Sequence, residues 1–182
     1  MRTAETHERC LNGHVLALAG QHSSFDRAVW LHTWTCNLCR DLRLPRASWY
    51  EVDHLEMEGE GPSHERLVLA MRRPDVPAGV GQIEVRLHRK AIADLDLRMC
   101  WIDERGVIEQ VRVDEPYRRR GFGTLLVATA LARRPGYRWS TTPIEDTIAA
   151  RAFWAAQRLP PGLQLGDPFH CSHMHEADVE YV

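Results

Sequence analysis

Hydrophobic and polar residues alternate over 107–113 and then recur at helical spacing, which predicts a strand followed by a helix. The residues at every second position of that strand are Val107, Glu109, Val111 and Val113. Strict alternation would place all of them on one face of a sheet. Beyond a polar loop, Phe122, Leu125 and Leu126 follow the i, i+3, i+4 pattern of a helix, which we expect to end before Pro135.

Short apolar runs bounded by turn residues predict further strands on both sides of this segment. These runs are residues 67–72, 81–88, 93–102 and 137–141. Thr142, Pro143 and Glu145 suit the cap, the first helical position and the capping box of a second helix, which we expect to reach about Arg158. Strands that are followed by a strand–helix–strand–helix order indicate an α+β fold with a mixed sheet.

The N-terminal part of the chain has a different pattern. Residues 15–19 and 28–35 predict two short strands, and the polar residues between them predict the turn of a small β-hairpin. We therefore expect two domains. Residues 1–45 would contain the hairpin unit and a connector, and residues 46–182 would form the larger α+β domain.

Composition and charge exclude several classes of protein. A formal net charge of -2 gives no overall attraction to nucleic acid or to anionic membranes. No apolar run approaches the roughly 20 residues that cross a bilayer, and the polar N-terminus lacks the features of a signal peptide. We expect a cytoplasmic protein without membrane contact, in which five cysteines favour thiols or metal ligands over disulfides.

Two pairs of potential metal ligands flank the predicted hairpin. Cys10 and His14 enclose one short turn, and Cys36 and Cys39 form a Cys-x-x-Cys pair. Three thiolates and one imidazole make a closed tetrahedral set for structural zinc, which would stabilise a segment too short for its own core. The unit resembles a zinc ribbon. Reduced thiols without metal and a redox pair are the alternatives, and His7 is an alternative ligand to His14.

A second group of histidines and a cysteine lies near the C-terminus. Its members are His170, Cys171, His173 and His175. Three interpretations are open: a second metal site, ligands that complete the first site, or a solvated chain end.

The loop between the predicted strand 107–113 and its helix has the chemistry of a pyrophosphate site. Arginines occupy 118–120, and Gly121 and Gly123 let the backbone approach a ligand where the helix N-terminus exposes its N–H groups. The loop is not a P-loop, because no Gly-Lys-Ser/Thr follows. It is not a dinucleotide-binding fingerprint either, because Leu126 occupies the position of the third glycine.

Arg118, Gly121 and Gly123 match the signature Arg/Gln-x-x-Gly-x-Gly/Ala, and by it the chain resembles the GNAT superfamily of N-acetyltransferases. Thr147-x-x-Ala150-x-x-Phe153-Trp154 is similar to a helix of that family, so the resemblance covers roughly residues 67–162. It implies a GNAT-like mixed sheet flanked by helices, with acetyl-CoA as cosubstrate. The cofactor-binding residues that it implies are Val111, Val113, Arg118, Arg119, Arg120, Gly121, Phe122, Gly123 and Thr124.

The resemblance also implies direct transfer of acetyl to an amine of an unidentified small molecule or protein. Glu109 is the candidate general base. Trp154 stands where the family often has the tyrosine that protonates the CoA thiolate, so Tyr137 or Tyr117 are candidate replacements, as is water. The alternative function is a non-catalytic CoA-binding regulator that contacts protein or nucleic acid through the zinc ribbon.

Overall fold

The computed structural model describes residues 8–27, 31–51, 55–56, 67–88 and 90–179. His7 and residues 28–30 of the predicted hairpin lie outside these ranges. The chain divides into two units, Met1–Val52 and Asp53–Val182.

The first unit contains a three-stranded antiparallel sheet in the order β1-β2-β3. Its strands are β1 Gln21–Asp26, β2 Leu31–Cys36 and β3 Ser48–Glu51. Two short helices complete it, α1 Leu16–Ala19 and α2 Asn37–Asp41. Because β3 pairs with β2, the segment that follows Ala47 belongs to this unit, and the boundary expected at residue 45 precedes that strand.

The predicted strand at 15–19 is wrong, because this run forms the helical turn α1. Hydrogen bonds from the Ala19 and Gly20 N–H groups to the carbonyls of Val15 and Leu16 close that turn. So short an apolar run has no periodicity that separates helix from strand. The predicted polar turn is strand β1, whose exposed residues give no hydrophobic alternation.

The second unit is built on a six-stranded mixed sheet in the order β4-β5-β6-β7-β8-β9. The strands are β4 Leu55–Glu56, β5 Val68–Arg72, β6 Val80–Leu87, β7 Lys90–Cys100, β8 Arg105–Val113 and β9 Arg138–Thr141. The outer pairs β4/β5 and β8/β9 are parallel, and the inner pairs are antiparallel. The predicted α+β fold with a mixed sheet is confirmed, and all of the strands predicted for this part occur with slightly different ends.

Three helices accompany this sheet: α3 Phe122–Arg133, α4 Ile148–Ala155 and α5 Ser172–Val179. The sequence predicted α3 correctly but gave no sign of α5. Among the described residues, no helix is long and apolar enough to cross a membrane.

The predicted start of α4 at Thr142 is wrong. The helix begins at Ile148, where the Thr147 side chain accepts a hydrogen bond from the Ala150 N–H at 3.1 Å. The Thr142 hydroxyl instead donates to the Glu109 carbonyl at 2.5 Å, so this threonine ties the chain to β8. Both threonines can cap a helix, and the sequence does not show which one the sheet holds in place.

Two buried clusters belong to opposite faces of the sheet. The main core, on the α3 face, contains Leu95, Leu97, Ile108, Leu126 and Trp139 among others. The second core contains Ala78, Cys100, Val107, Cys171 and Met174. Leu95 and Leu97 of β7 lie in the main core and Cys100 of the same strand lies in the second, because successive side chains of a strand point to opposite faces.

Gly106→Ala should destabilise the second unit by about 1–3 kcal/mol through overpacking. A Cβ atom at Gly106 would lie 2.5 Å from Cε3 of Trp139, which is 2% exposed. The Trp139 ring is also fixed, because its Nε1 donates to the Arg134 carbonyl at 3.1 Å. Thermal unfolding should show a melting temperature lowered by about 2–4 °C per kcal/mol. In a Trp139→Leu background the same change should cost less, and an equal cost would contradict the packing argument.

Candidate active site

Strand β8 carries a β-bulge at Glu109. Asp96 of β7 pairs with Gln110, and the next residue, Leu97, pairs with Ile108. Glu109 therefore has no residue opposite it in β7. A bulge of this kind bends a strand and redirects the side chain at the extra residue.

The bulge changes which residues of β8 share a face. The prediction that Val107, Glu109, Val111 and Val113 lie on one face is wrong. Val111 and Val113 pack against the main core, whereas Val107 lies in the second core. Glu109 reaches Arg98, which pairs with Val107 and so lies on the side of the second core.

Two side chains meet the Glu109 carboxylate. Arg98 Nε lies 3.0 Å from Glu109 Oε1, and His170 Nε2 lies 2.8 Å from the same oxygen. An ionised carboxylate only accepts hydrogen bonds, so the Nε2–H of His170 is the donor in this contact. The three side chains are between 12% and 25% exposed, which shields their interactions from water while leaving the group accessible.

His170 reaches this position because the segment before it is tied to β9. The Gly166 N–H donates to the Thr141 hydroxyl at 2.8 Å, and the Phe169 N–H donates to the Ser140 hydroxyl at 3.0 Å. Ser140 and Thr141 are both almost fully buried. These bonds hold the segment before His170 against β9, so that His170 lies beside Glu109.

Strands β8 and β9 separate just beyond Glu109. Their parallel pairing ends at Ile108 and Thr141, while β8 continues to Val113. Within the described part of the chain, no strand pairs with the end of β8 on the β9 side. The backbone of this last part of β8 is therefore free of strand pairing on the β9 side among the described residues.

The loop after β8 ends at the N-terminus of α3. Gly121 lies just before the helix with φ 88°, a left-handed conformation that favours glycine. The first N–H groups of a helix have no partner within it and attract anions. Arg118, Arg119 and Arg120 are exposed in the same loop, and Arg118 Nε donates to the Val113 carbonyl at 3.1 Å. This arrangement can bind a phosphate or pyrophosphate.

Gly123 has a role that the sequence did not predict. A Cβ atom there would lie 2.8 Å from Cε2 of Phe153 in α4, and the glycine is buried. Its small size lets α3 approach α4. In contrast to Gly123, Gly121 has free space beside its backbone, since a Cβ at that position would meet nothing within 4 Å.

The candidate proton donors lie away from Glu109. Tyr137 precedes β9 at the end of the sheet where β8 begins, since Arg105 pairs with the next residue, Arg138. Tyr117 lies by the loop, with Arg120 5.7 Å above its ring. Trp154 packs edge-on against Phe153 at 5.2 Å.

The model of the acetyltransferase (GNAT) family matches residues 30–157. That range includes β8, the arginine–glycine loop, α3 and α4, and it is more than half of the chain. The protein belongs to this family. The family resemblance seen in the sequence is thereby confirmed, and membership supports acetyltransferase activity in general, with acetyl-CoA as the acetyl donor. None of the curated proteins matches the chain significantly.

The first unit brings together its four predicted metal ligands, of which Cys36 and Cys39 also lie within the residues that match the family. Donor atoms of Cys10, His14, Cys36 and Cys39 all lie within 4.8 Å of one another. Cys10 and Cys39 are separated by 3.6 Å between Sγ atoms, and His14 Nδ1 lies 3.0 Å from Cys39 Sγ and 3.9 Å from Cys36 Sγ. The cluster could hold a metal ion and is compatible with a zinc-ribbon-like unit.

Two thiols of this cluster differ in acidity. Burial raises the pKa of the Cys39 thiol to about 11. Burial would also raise the pKa of Cys10, but backbone hydrogen bonds with Asn12 and His14 outweigh it, so that pKa is lowered. The lowered pKa shifts Cys10 toward the thiolate, the form that binds metals.

Sequence reasoning missed His170 as a neighbour of Glu109. It noticed the histidine only as part of a possible metal group in the tail. The two residues are 61 positions apart, and no local pattern links them. The sequence offered only a chemical hint: Glu109 was a candidate base with no assigned partner, and a histidine is a residue type that could pair with it.

Proposed function

We propose that this GNAT protein is an N-acetyltransferase that transfers acetyl from acetyl-CoA directly to an amine. The observation that supports the proposal is the arginine–glycine loop at the end of β8, just beyond the part of β8 that has no strand partner on the β9 side among the described residues. The free backbone along the last part of β8 suits the pantetheine arm of one ligand. The helix N-terminus beyond it suits the pyrophosphate of the same ligand.

Acetyl-CoA would extend along β8 toward the loop. The backbone of Val111–Val113 would pair with pantetheine, and backbone N–H groups from Arg119 to Thr124 would bind the pyrophosphate. The exposed guanidinium groups of Arg118, Arg119 and Arg120 add charge-assisted hydrogen bonds. Phe122 and Gly123 contribute through the helix N-terminus rather than through their side chains.

Glu109 and His170 would act together on the attacking amine. The amine nitrogen forms a bond to the thioester carbonyl carbon while the carbon–sulfur bond breaks. The proton that the amine loses passes to this pair, directly or through one water. The 2.8 Å contact orients the imidazole, and Arg98 at 3.0 Å holds the Glu109 carboxylate in place.

The CoA thiolate must also gain a proton. Tyr137 is the sequence-based candidate, but it lies about 10 Å or more along β9 from the point where the strands separate. Tyr137→Phe tests this assignment. Unchanged turnover would leave Tyr117 or water as the source of the proton, and a large loss would support Tyr137.

In the first unit, we propose that Cys10, His14, Cys36 and Cys39 bind a structural zinc ion. Bonds of about 2.3 Å to sulfur and about 2.1 Å to nitrogen place two sulfurs about 3.8 Å apart, and sulfur and nitrogen about 3.6 Å apart, in a tetrahedral site. The Cys10–Cys39 separation of 3.6 Å and the His14–Cys36 separation of 3.9 Å lie within about 0.3 Å of these values, whereas the His14–Cys39 separation of 3.0 Å is about 0.6 Å shorter. Asn12 Nδ2 donates to Cys39 Sγ at 3.2 Å and would orient that ligand.

Glu109→Gln should lower kcat for acetyl transfer by about 100-fold or more, which is what a general base contributes. Binding of acetyl-CoA should be unchanged, because the proposed pyrophosphate site lies beyond the end of β8. Released CoA, separated by chromatography, measures turnover with a library of primary amines. This readout avoids thiol reagents, which would also react with the cysteines of the protein.

Glu104→Gln is the matched control for that experiment, because it makes the same chemical change in the exposed turn before β8. It should leave turnover unchanged. Wild-type protein that binds acetyl-CoA but acetylates no amine would contradict the enzymatic proposal. That result would instead support a CoA-binding regulator, the function that Trp154 in place of tyrosine favours.

A further inference from the structure

A second cluster of metal-binding side chains lies in the second unit, where β7 ends and α5 begins. Cys100 is the last residue of β7, and Asp103 lies in the turn before β8. Cys171 and His173 stand at the start of α5. The donor atoms of these four side chains all lie within 4.8 Å of one another.

Three separations, among Cys100, Asp103 and His173, are close to those of ligands around one ion, and Cys171 Sγ lies within 4.8 Å of each of their donor atoms. Cys100 Sγ lies 3.6 Å from His173 Nδ1 and 3.5 Å from Asp103 Oδ2. His173 Nδ1 lies 3.0 Å from that same carboxylate oxygen. Tetrahedral zinc places sulfur about 3.6 Å from nitrogen or oxygen, and nitrogen about 3.4 Å from oxygen. Each observed separation is within about 0.4 Å of the expected one.

Burial and backbone contacts also suit a metal site. Cys100 is 1% exposed and Cys171 is 8% exposed, while Asp103 and His173 are about one-third exposed. An ion could therefore enter from the side of the carboxylate and imidazole and be held by the buried sulfurs. The Asp103 N–H lies 3.5 Å from Cys100 Sγ and would stabilise a bound thiolate, as outer contacts do in metal sites.

We propose that Cys100, Asp103, Cys171 and His173 bind a second zinc ion. Two thiolates, one imidazole and one carboxylate favour zinc over magnesium or calcium, which select oxygen ligands. A divalent cation would also offset the negative charge that the two thiolates and the carboxylate bring together. The site is independent of the ligand cluster of the first unit, since all four of its residues belong to Asp53–Val182.

The second zinc would fasten the C-terminal helix to the sheet. Arg98 already contributes, because its Nη1 donates to the Met174 carbonyl at 2.9 Å and its Nη2 pairs with Asp178 at 2.5 Å. Cys171 directly follows His170, so an ion held by Cys171 would also fix His170 against Glu109. This last consequence rests on the proposed acetyltransferase function, whereas the zinc site itself does not.

Zinc content of the full chain and its variants tests the proposal. Inductively coupled plasma and native mass spectrometry should find two zinc ions per wild-type chain. Cys171→Ser and Cys36→Ser should each lose one zinc, from different sites, and the double variant should lose both. His173→Ala, which removes a ligand that is about one-third exposed, should also lose one zinc, and it tests the proposal if Cys171→Ser fails to fold.

His175→Ala is the matched control, because it removes a histidine of the same helix that lies against His170 rather than in the cluster. It should keep two zinc ions. One zinc in the wild-type chain, kept by Cys171→Ser and lost by Cys36→Ser, would overturn the proposal. A Cys100–Cys171 disulfide found in intact freshly purified protein would overturn it too. Neither readout involves acetyl-CoA, so failure of the proposed enzymatic function would be seen separately.

Discussion

Gly121→Glu is expected to abolish measurable binding of acetyl-CoA. Gly121 lies just before α3 with φ 88°, and a Cβ there would meet nothing within 4 Å, so the protein has room for the new side chain. The glutamate would place a negative charge where the helix N-terminus is proposed to bind the pyrophosphate. We expect affinity to fall at least about 100-fold, which corresponds to about 2.8 kcal/mol. Isothermal titration calorimetry with acetyl-CoA measures it.

Gly162→Glu separates this effect from backbone strain and added charge. Gly162 has φ 84°, and a Cβ there would also meet nothing within 4 Å, but it lies outside the loop. Its variant should suffer the same strain and yet bind acetyl-CoA as the wild type does. If Gly121→Glu bound as tightly as Gly162→Glu, the pyrophosphate would have to lie elsewhere.

Cys36→Ser is expected to remove the zinc of the first unit and to unfold that unit. The buried cluster there consists of Cys10, Leu16, Cys36 and Cys39, so three of its four members are proposed ligands. Little apolar surface remains to stabilise three strands without the metal. Structural zinc contributes on the order of 10 kcal/mol to small domains of this kind, and its loss unfolds them. Nuclear magnetic resonance spectra should lose the dispersed signals of Met1–Val52.

His22→Ala is the control for that variant. His22 is an exposed histidine of β1 whose Nδ1 lies 2.9 Å from Asn37 Oδ1, and it is not among the four ligands. It should keep its zinc and its spectrum. A Cys36→Ser protein that kept a zinc ion in the first unit and dispersed signals from it would show that the ligands are elsewhere.

The loop and the four ligands of the first unit could be found from the sequence because their chemistry is local. Arg118 and Gly121 lie within one turn of chain, and so do Cys36 and Cys39. Such short spacings are fixed by covalent geometry, whatever fold surrounds them. The ligands were predicted even though the first of the two strands between them was assigned to the wrong residues; the second, predicted at 28–35, overlaps β2.

Residues that depend on register or on distant contacts could not be found in the same way. The bulge at Glu109 arises from the pairing of β8 with β7. The hydrophobic alternation in the sequence of β8 contains no sign of it. His170 reaches Glu109 only because Ser140 and Thr141 hold the preceding segment. Thr142 and Thr147 are equally able to cap a helix, and tertiary contacts decide between them.

The same limit applies to the second metal cluster. The tail histidines and Cys171 were visible in the sequence, but Cys100 lies 71 positions before Cys171. Cys100 lies in the predicted strand 93–102, a position that is typical of a core residue. Only the turn after β7 and the docking of α5 bring the two thiols together.

Native mass spectrometry of the full chain with acetyl-CoA tests the central claim most directly. We predict one acetyl-CoA bound per wild-type chain, displaced by free CoA, and no such complex for Gly121→Glu under the same conditions. A wild-type chain that bound no acetyl-CoA at saturating concentration, while its zinc content and fold were intact, would contradict the account.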